Sequence, residues 1–221
     1  MFPIKTDSPP LRFPIFTYLI VALNLFAFIH ELSMGKALAT FINKYGCTPY
    51  EITHFIDLVP HIDLPIYLTL ITSLFLHGSW IHFLGNMWFL YIFGRNVEGW
   101  LGYRKFILFY LGCGVGASIV QLLFSPFSKI PIIGASGAIA GVLGGYFVLY
   151  PRTKVVCIVP LLFFVRIVEL PAFLFLGFWV IWQLFSQMTI GAFSNIAFLA
   201  HIGGFFIGLF GVRWIKLKEW R

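Results

Sequence analysis

Long apolar runs, broken by short clusters of basic residues, glycine and proline, set the layout of this chain. Six of the runs approach the roughly 20 apolar residues that a membrane-crossing helix requires. The first extends from about Pro14 to Leu32 and closes at His30-Glu31. A long connection to about residue 79 follows, carrying His54, His61, Glu51, Asp57, Asp63 and a semi-apolar piece from Leu64 to Leu76. A loop of that length is functional or has structure of its own, and short helices lying in the membrane interface are expected there. The second run covers about Ile81 to Glu98 and the third about Tyr103 to Leu123, separated only by Gly99-Trp100-Leu101-Gly102. The fourth, Ser136 to Tyr150, stops at Pro151-Arg152-Thr153-Lys154. After an apolar connector with Arg166 and Glu169 come the fifth, about Pro171 to Met188, and the sixth, about Ser194 to Trp214. The pattern predicts an all-α polytopic membrane protein: one six-helix domain over residues 1–221, residues 1–13 a short cytoplasmic arm and residues 33–79 a long, partly embedded external loop.

Composition agrees. With 60% hydrophobic and 10% charged residues and a mean hydropathy of +0.92, the chain is far from a soluble globule, about a quarter of which is charged. The net charge of +7 invites a nucleic-acid reading, which the placement of the charges rejects. Twelve of the fifteen lysines and arginines fall on the side that six spans assign to both termini, and only Lys36, Lys44 and Lys129 fall opposite. Basic loops mark the cytoplasmic face, so both termini are expected in the cytoplasm. The first apolar run has no small-residue cleavage pattern after it and reads as a retained helix. Cys47, Cys113 and Cys157 are odd in number and far apart; they suit neither a disulfide framework nor a metal pattern and are expected as packing residues or free thiols.

Chemistry enters at Ile133-Gly134-Ala135-Ser136-Gly137-Ala138. A serine becomes a nucleophile when it has a base beside it and a backbone that lets a carbonyl approach, and Gly134 and Gly137 flank Ser136. The same stretch carries small residues every fourth position, Gly137, Gly141 and Gly145 or Ser136, Ala140 and Gly144, which is also how two membrane helices pack tightly. Both readings stand at this point. The stop at Arg152 lies 16 residues on, roughly 24 Å at 1.5 Å per residue against a hydrocarbon core of about 30 Å, so Ser136 is sunk below the outer surface. His201, 15 residues before Lys216, comes to a similar depth on another helix, with Gly204, Gly208 and Gly211 below it. That glycine stripe, set against Ser136-Ala140-Gly144, would bring serine and histidine together. His82 and Asn86, four apart and therefore on one helical face, are inward-facing donors suited to an oxyanion, with the Ser136 N–H as a third. His77 is a supporting candidate. A metal site is the rival reading of the histidines; His77 and His82 read on one helix would sit about 140° apart, with no carboxylate at hand. Glu98 reads as structural. With no acid beside His201 and no lysine in a membrane core, a Ser-His dyad is expected, with no metal and no cofactor.

Taken together these residues resemble the rhomboid family of intramembrane serine proteases, in its bacterial-type six-span form. The family pattern H-x4-H-x3-N falls on His77, His82 and Asn86, and F-G-x3-E-x3-G on Phe93-Gly94, Glu98 and Gly102. G-x-S-G falls on Gly134 to Gly137, and A-H-x-x-G on Ala200-His201 and Gly204. The resemblance implies Ser136 as nucleophile, His201 as general base, and His82, Asn86 and the Ser136 N–H as oxyanion donors. It further implies cleavage of single-span or multi-span membrane proteins near the outer ends of their helices, and a place in the bacterial inner (plasma) membrane. Two departures stand out. Residues 33–79 lack the Trp-Arg pair of many bacterial members, and Ala140 takes the place of a tyrosine that stacks on the histidine in some of them, so another group must orient His201. A non-catalytic helix binder or chaperone on the same fold is the alternative function. A transporter is disfavoured because the chain shows no inverted repeat.

Overall fold

A computed structural model describes residues 1–161, 164–191 and 196–219. Each of the six apolar runs carries a helix. In chain order the elements are β1 (Phe2–Thr6), α1 (Ile15–Ser33), α2 (Leu38–Tyr45), α3 (Pro49–His54), α4 (Thr69–Thr72), α5 (Trp80–Phe89), α6 (Arg95–Leu101), α7 (Tyr103–Phe124), α8 (Ser136–Leu149), β2 (Lys154–Leu161), β3 (Phe164–Pro171), α9 (Ala172–Ile190) and α10 (Phe198–Glu219). Four helices are long and apolar enough to cross a membrane, namely α1, α7, α9 and α10. The stretch Trp80–Leu101 joins them if it is counted with Ile66–Phe75, which meets it at a bend of 82°. Its two helices, α5 and α6, are one continuous rod, with a π-helical turn over Leu90–Gly94 between them. The expected start of the sixth run at Ser194 and the terminal Trp220-Arg221 lie outside the described residues.

The shortest of the six, α8, is the centre of the molecule. Every residue from Gly137 to Tyr146 is buried, as befits a helix apolar on all sides, which has no face to offer water. Helix α10 crosses it with almost no side chain between the two backbones. A Cβ added at Gly208 would run into the carbonyl of Gly141, one at Gly204 into the carbonyl of Gly137, and one at Gly144 into the carbonyl of Phe205. The small-residue seam anticipated from the sequence therefore exists. On the α8 side Gly137, Gly141 and Gly144 form it, rather than the row Ser136-Ala140-Gly144. Gly211 leaves the seam and faces α7, where an added Cβ would lie 3.6 Å from the Phe109 ring.

An all-α class is corrected by a three-stranded antiparallel sheet in the order β1-β2-β3. The arm of residues 1–13 and the apolar connector before the fifth run supply it. Its register pairs Phe2 with Ile158 and Thr6 with Val155, and Lys154 with Pro171. The physical reason is legible afterwards: Val155, Val156, Ile158 and Val159 on β2 and Val165, Ile167 and Val168 on β3 make both strands rich in β-branched residues, which suit a pleated surface. Pro160 has no N–H for a helix interior. The arm is fastened to the helices as well, since Trp88 Nε1 donates to the Pro3 carbonyl at 2.7 Å and Asn96 Nδ2 to that of Ser8 at 2.9 Å.

Two buried carboxylates lock α1 in place. Glu98, on α6, accepts from the backbone N–H of Phe16 at 2.8 Å and from the N–H and hydroxyl of Thr17, both at 2.7 Å. The first N–H groups of a helix have no partner within it, and an anion there also meets the positive end of the helix dipole; this is the structural role the sequence suggested for Glu98. Near the other end of α1, Glu31 accepts the His77 N–H at 3.1 and 3.0 Å. Between them Phe28 stacks on Phe83 at 4.7 Å, holding α1 against α5. All three cysteines are free and buried.

Candidate active site

Ser136 is the first residue of α8, and the chain reaches it through an irregular segment whose polar groups are satisfied inside the protein. Ile132 and Cys47 exchange both backbone bonds, at 3.0 and 2.8 Å, and the Gly134 N–H donates to the Ser73 carbonyl at 2.8 Å. Non-helical backbone at membrane depth needs such partners. Residues 33–79 supply both of them and so aim the serine. Gly134 has φ of +111°, a region L side chains rarely adopt, and a Cβ there would lie 2.5 Å from His82 Nε2. Only glycine lets the His82 ring close over the entrance to the serine turn.

His201 comes from α10, one turn above the glycine seam. Its Nε2 lies 2.8 Å from Ser136 Oγ, a hydrogen bond between side chains 65 residues apart in sequence. The close backbone approach below makes that distance reachable for side chains as short as serine and histidine. On the far side of the ring, His201 Nδ1 lies 2.8 Å from Gln183 Oε1 of α9. Trp179, one turn earlier on α9, places its ring 6.2 Å from the imidazole, tilted by 33°, and Phe198 presents an edge at 6.3 Å. The sequence left open which group orients His201 where Ala140 replaces an aromatic residue. Gln183 and Trp179 are the groups found there. The signal for Gln183 was available, since an amide within an apolar span is costly and marks function by default.

His82 and Asn86, both on α5, face the same cleft as Ser136, His201 and Gln183. The cleft has a volume of about 1100 Å³, large enough for an extended peptide segment. Asn86 Nδ2 donates to His77 Nε2 at 3.0 Å, which leaves the second hydrogen of the amide for the cleft. His77 lies in the bend before α5, whose N-cap is Ser79, and not on the helix itself. The 140° separation read for His77 and His82 therefore does not apply, and their ring centroids are 5.1 Å apart. His77 is 1% exposed and stands behind Asn86. Among the described residues no three His, Cys, Asp or Glu side chains converge as metal ligands. Gly137, next to the serine, lies under Ala117 of α7, where an added Cβ would meet a methyl at 2.7 Å.

A helical membrane protein with a serine at the head of a buried short helix and a histidine across a glycine seam defines a narrow class. The family model of the Rhomboid domain matches residues 66–218, and the chain belongs to the rhomboid family. Among relatives, it is 30% identical over 209 residues to rhomboid protease GluP of Bacillus subtilis (strain 168), covering 93% of this chain and 36% of that protein. It is 40% identical over 79 residues to the chloroplastic rhomboid-like protein 11 of Arabidopsis thaliana, covering 36% and 28% of the two chains. With the mitochondrial rhomboid-like protein 12 of the same plant the figures are 30% over 169 residues, 69% and 47%. The chain thus spans between about a quarter and a half of the length of these relatives.

Proposed function

We propose that this chain is an intramembrane serine endopeptidase that cuts helices of other membrane proteins near their outer ends, within a bacterial inner membrane that it crosses six times. The observation that carries the reading is the 2.8 Å contact between Ser136 Oγ and His201 Nε2 at the wall of a cleft that His82, Asn86 and Gln183 also line. In the first step Ser136 Oγ attacks the scissile carbonyl carbon while His201 Nε2 takes its proton. The carbonyl oxygen becomes an oxyanion beside the Asn86 amide, the His82 ring and the N–H of Ser136, which as the first residue of α8 has no partner within the helix. Collapse of the adduct breaks the C–N bond, and His201 returns the proton to the departing amine. Water, deprotonated by the same nitrogen, then releases the acyl group from Ser136.

A serine-directed fluorophosphonate tests the reading directly. Labelling of the purified protein that vanishes in Ser136→Ala and in His201→Ala supports it; a protein that stays unlabelled and leaves a panel of single-span membrane proteins intact is a helix binder instead.

Asn86→Ala isolates the donors. Removing one oxyanion donor costs about 10²–10³ in kcat, and KM should barely move because the contact forms in the transition state. His77 keeps its place through the Glu31 bond, so the loss belongs to the amide. A defect confined to KM would reassign Asn86 to substrate binding.

The charge distribution orients the chain with both termini in the cytoplasm. In a background lacking Cys47, Cys113 and Cys157, a cysteine placed in residues 33–79 should react with an impermeant thiol reagent added outside, and one after Lys216 should not. Reversed labelling overturns the orientation and moves the cleft to the cytoplasmic half.

A further inference from the structure

A general base must present a lone pair to the serine hydroxyl, and an imidazole does so at Nε2 only if its proton sits on Nδ1. The Nδ1–H then needs an acceptor in a place where water is scarce. His201 has one: Gln183 Oε1 at 2.8 Å. The amide is itself 8% exposed, and it approaches from α9, a different helix from those that carry the serine and the histidine. The aromatic neighbours described around the ring, Trp179 and Phe198, restrain its tilt but cannot choose between tautomers, because neither side chain offers an acceptor to Nδ1.

We propose that Gln183 is the positioning residue of the dyad, accepting the Nδ1–H of His201 and so holding the tautomer in which Nε2 can take the Ser136 proton. The site is then a Ser-His-Gln relay of three helices, and the base is set only while α9 is docked against α10. Helix α9 is suited to make that contact conditional. Its first turn is tied to the protein by Ala172 N–H donating to the Thr153 carbonyl at 2.8 Å and Phe173 N–H to that of Pro151 at 3.0 Å. Farther along, Phe178, Trp182 and Phe185 are each more than half exposed, and among the described residues their ring contacts are with one another. Departure of α9 from α10 would take the acceptor away with it. The proposal rests on the serine-protease reading above and adds to it what sets the base.

The test uses the full chain in bicelles, with four variants, and reads two signals besides substrate cleavage. Gln183→Leu removes the acceptor and keeps an apolar side chain of similar bulk, while Gln183→Glu keeps an acceptor oxygen in the same place. One readout is the rate of fluorophosphonate labelling, which does not depend on admission of a transmembrane substrate. The other is the nitrogen NMR signature of the His201 ring, assigned by its absence in His201→Ala. Wild type should show the proton on Nδ1. Gln183→Leu should label about 10–100-fold more slowly, less than the roughly 10²–10⁴-fold that general-base catalysis supplies in full because the base is mis-set and not removed, lose the Nδ1–H signature and lower kcat with KM unchanged. Gln183→Glu should recover most of the labelling rate. A purely structural role for Gln183 would loosen α9, leaving labelling equal or faster, and that result overturns the proposal. So does a wild-type ring protonated on Nε2, a measurement that stands even if Gln183→Leu fails to fold. Failure of the serine-protease reading is separate, because it appears as a wild-type protein that does not label, or as labelling that persists in Ser136→Ala, while the ring signature of His201 is read independently of either.

Discussion

Ser136→Ala should abolish both cleavage of a transmembrane substrate and fluorophosphonate labelling, and His201→Ala should lower both by about four orders of magnitude or more, since members of such a unit fail together. The serine change removes one oxygen and leaves α8, its seam and the cleft as they are, so the melting temperature should stay near that of the wild type. The histidine change removes a ring from between Trp179, Phe198 and Gln183, and a modest loss of stability is expected with it. Because the two residues act as one unit, the double variant should be no worse than either single one. Cleavage by Ser136→Ala within tenfold of wild type would remove the nucleophile assignment and with it the proposed function.

Gly208→Ala should also be damaging, although residue 208 lies seven positions below His201 and touches no substrate. A methyl at that position has the carbonyl of Gly141 in its way, and neither backbone can yield without parting α8 from α10. Overpacking of this kind costs about 1–3 kcal/mol. A displacement of about 1 Å between reacting groups costs on the order of 100-fold in rate, so the 2.8 Å contact of Ser136 with His201 should be lost before the fold is. The expected result is a lower melting temperature and a kcat reduced about 100-fold. Gly112→Ala on α7, where nothing lies within 4 Å of the added carbon, serves as the control and should change neither. A Gly208→Ala protein that labels and melts like wild type would show that the seam does not hold the dyad together.

The seam also explains why the serine stretch could be read two ways. A ladder of small residues and a nucleophile with room around it looked like rival accounts of Gly134 to Gly145. In the structure the ladder is what brings the proposed nucleophile within reach of His201, since Gly204 and Gly208 ride on the carbonyls of Gly137 and Gly141 directly beneath the Ser136–His201 contact.

Hydropathy alone placed the six helices to within a few residues, because a run of apolar residues in a membrane has few other ways to satisfy its backbone. Counting back from the basic stops set Ser136 and His201 at one depth, and spacing alone put His82 and Asn86 on one helical face, since positions four apart share a face whatever the tertiary fold. What the sequence could not decide depends on partners distant along the chain. The sheet needs residues 2–6 to meet residues 154–161, a pairing no local pattern announces, so an all-α reading was natural. The capping of α1 by Glu98 spans 81 residues, and only the arrangement of α1 against α6 reveals which N–H groups that carboxylate serves. The place of His77 turned on a bend before α5 that helical spacing cannot express. The acceptor behind His201 is the sharpest case. Composition marks Gln183 as a polar residue in an apolar run, but which polar group it meets is fixed by the rotation of α9 about its axis and its docking on α10, and those are properties of packing that the order of residues along one helix does not contain.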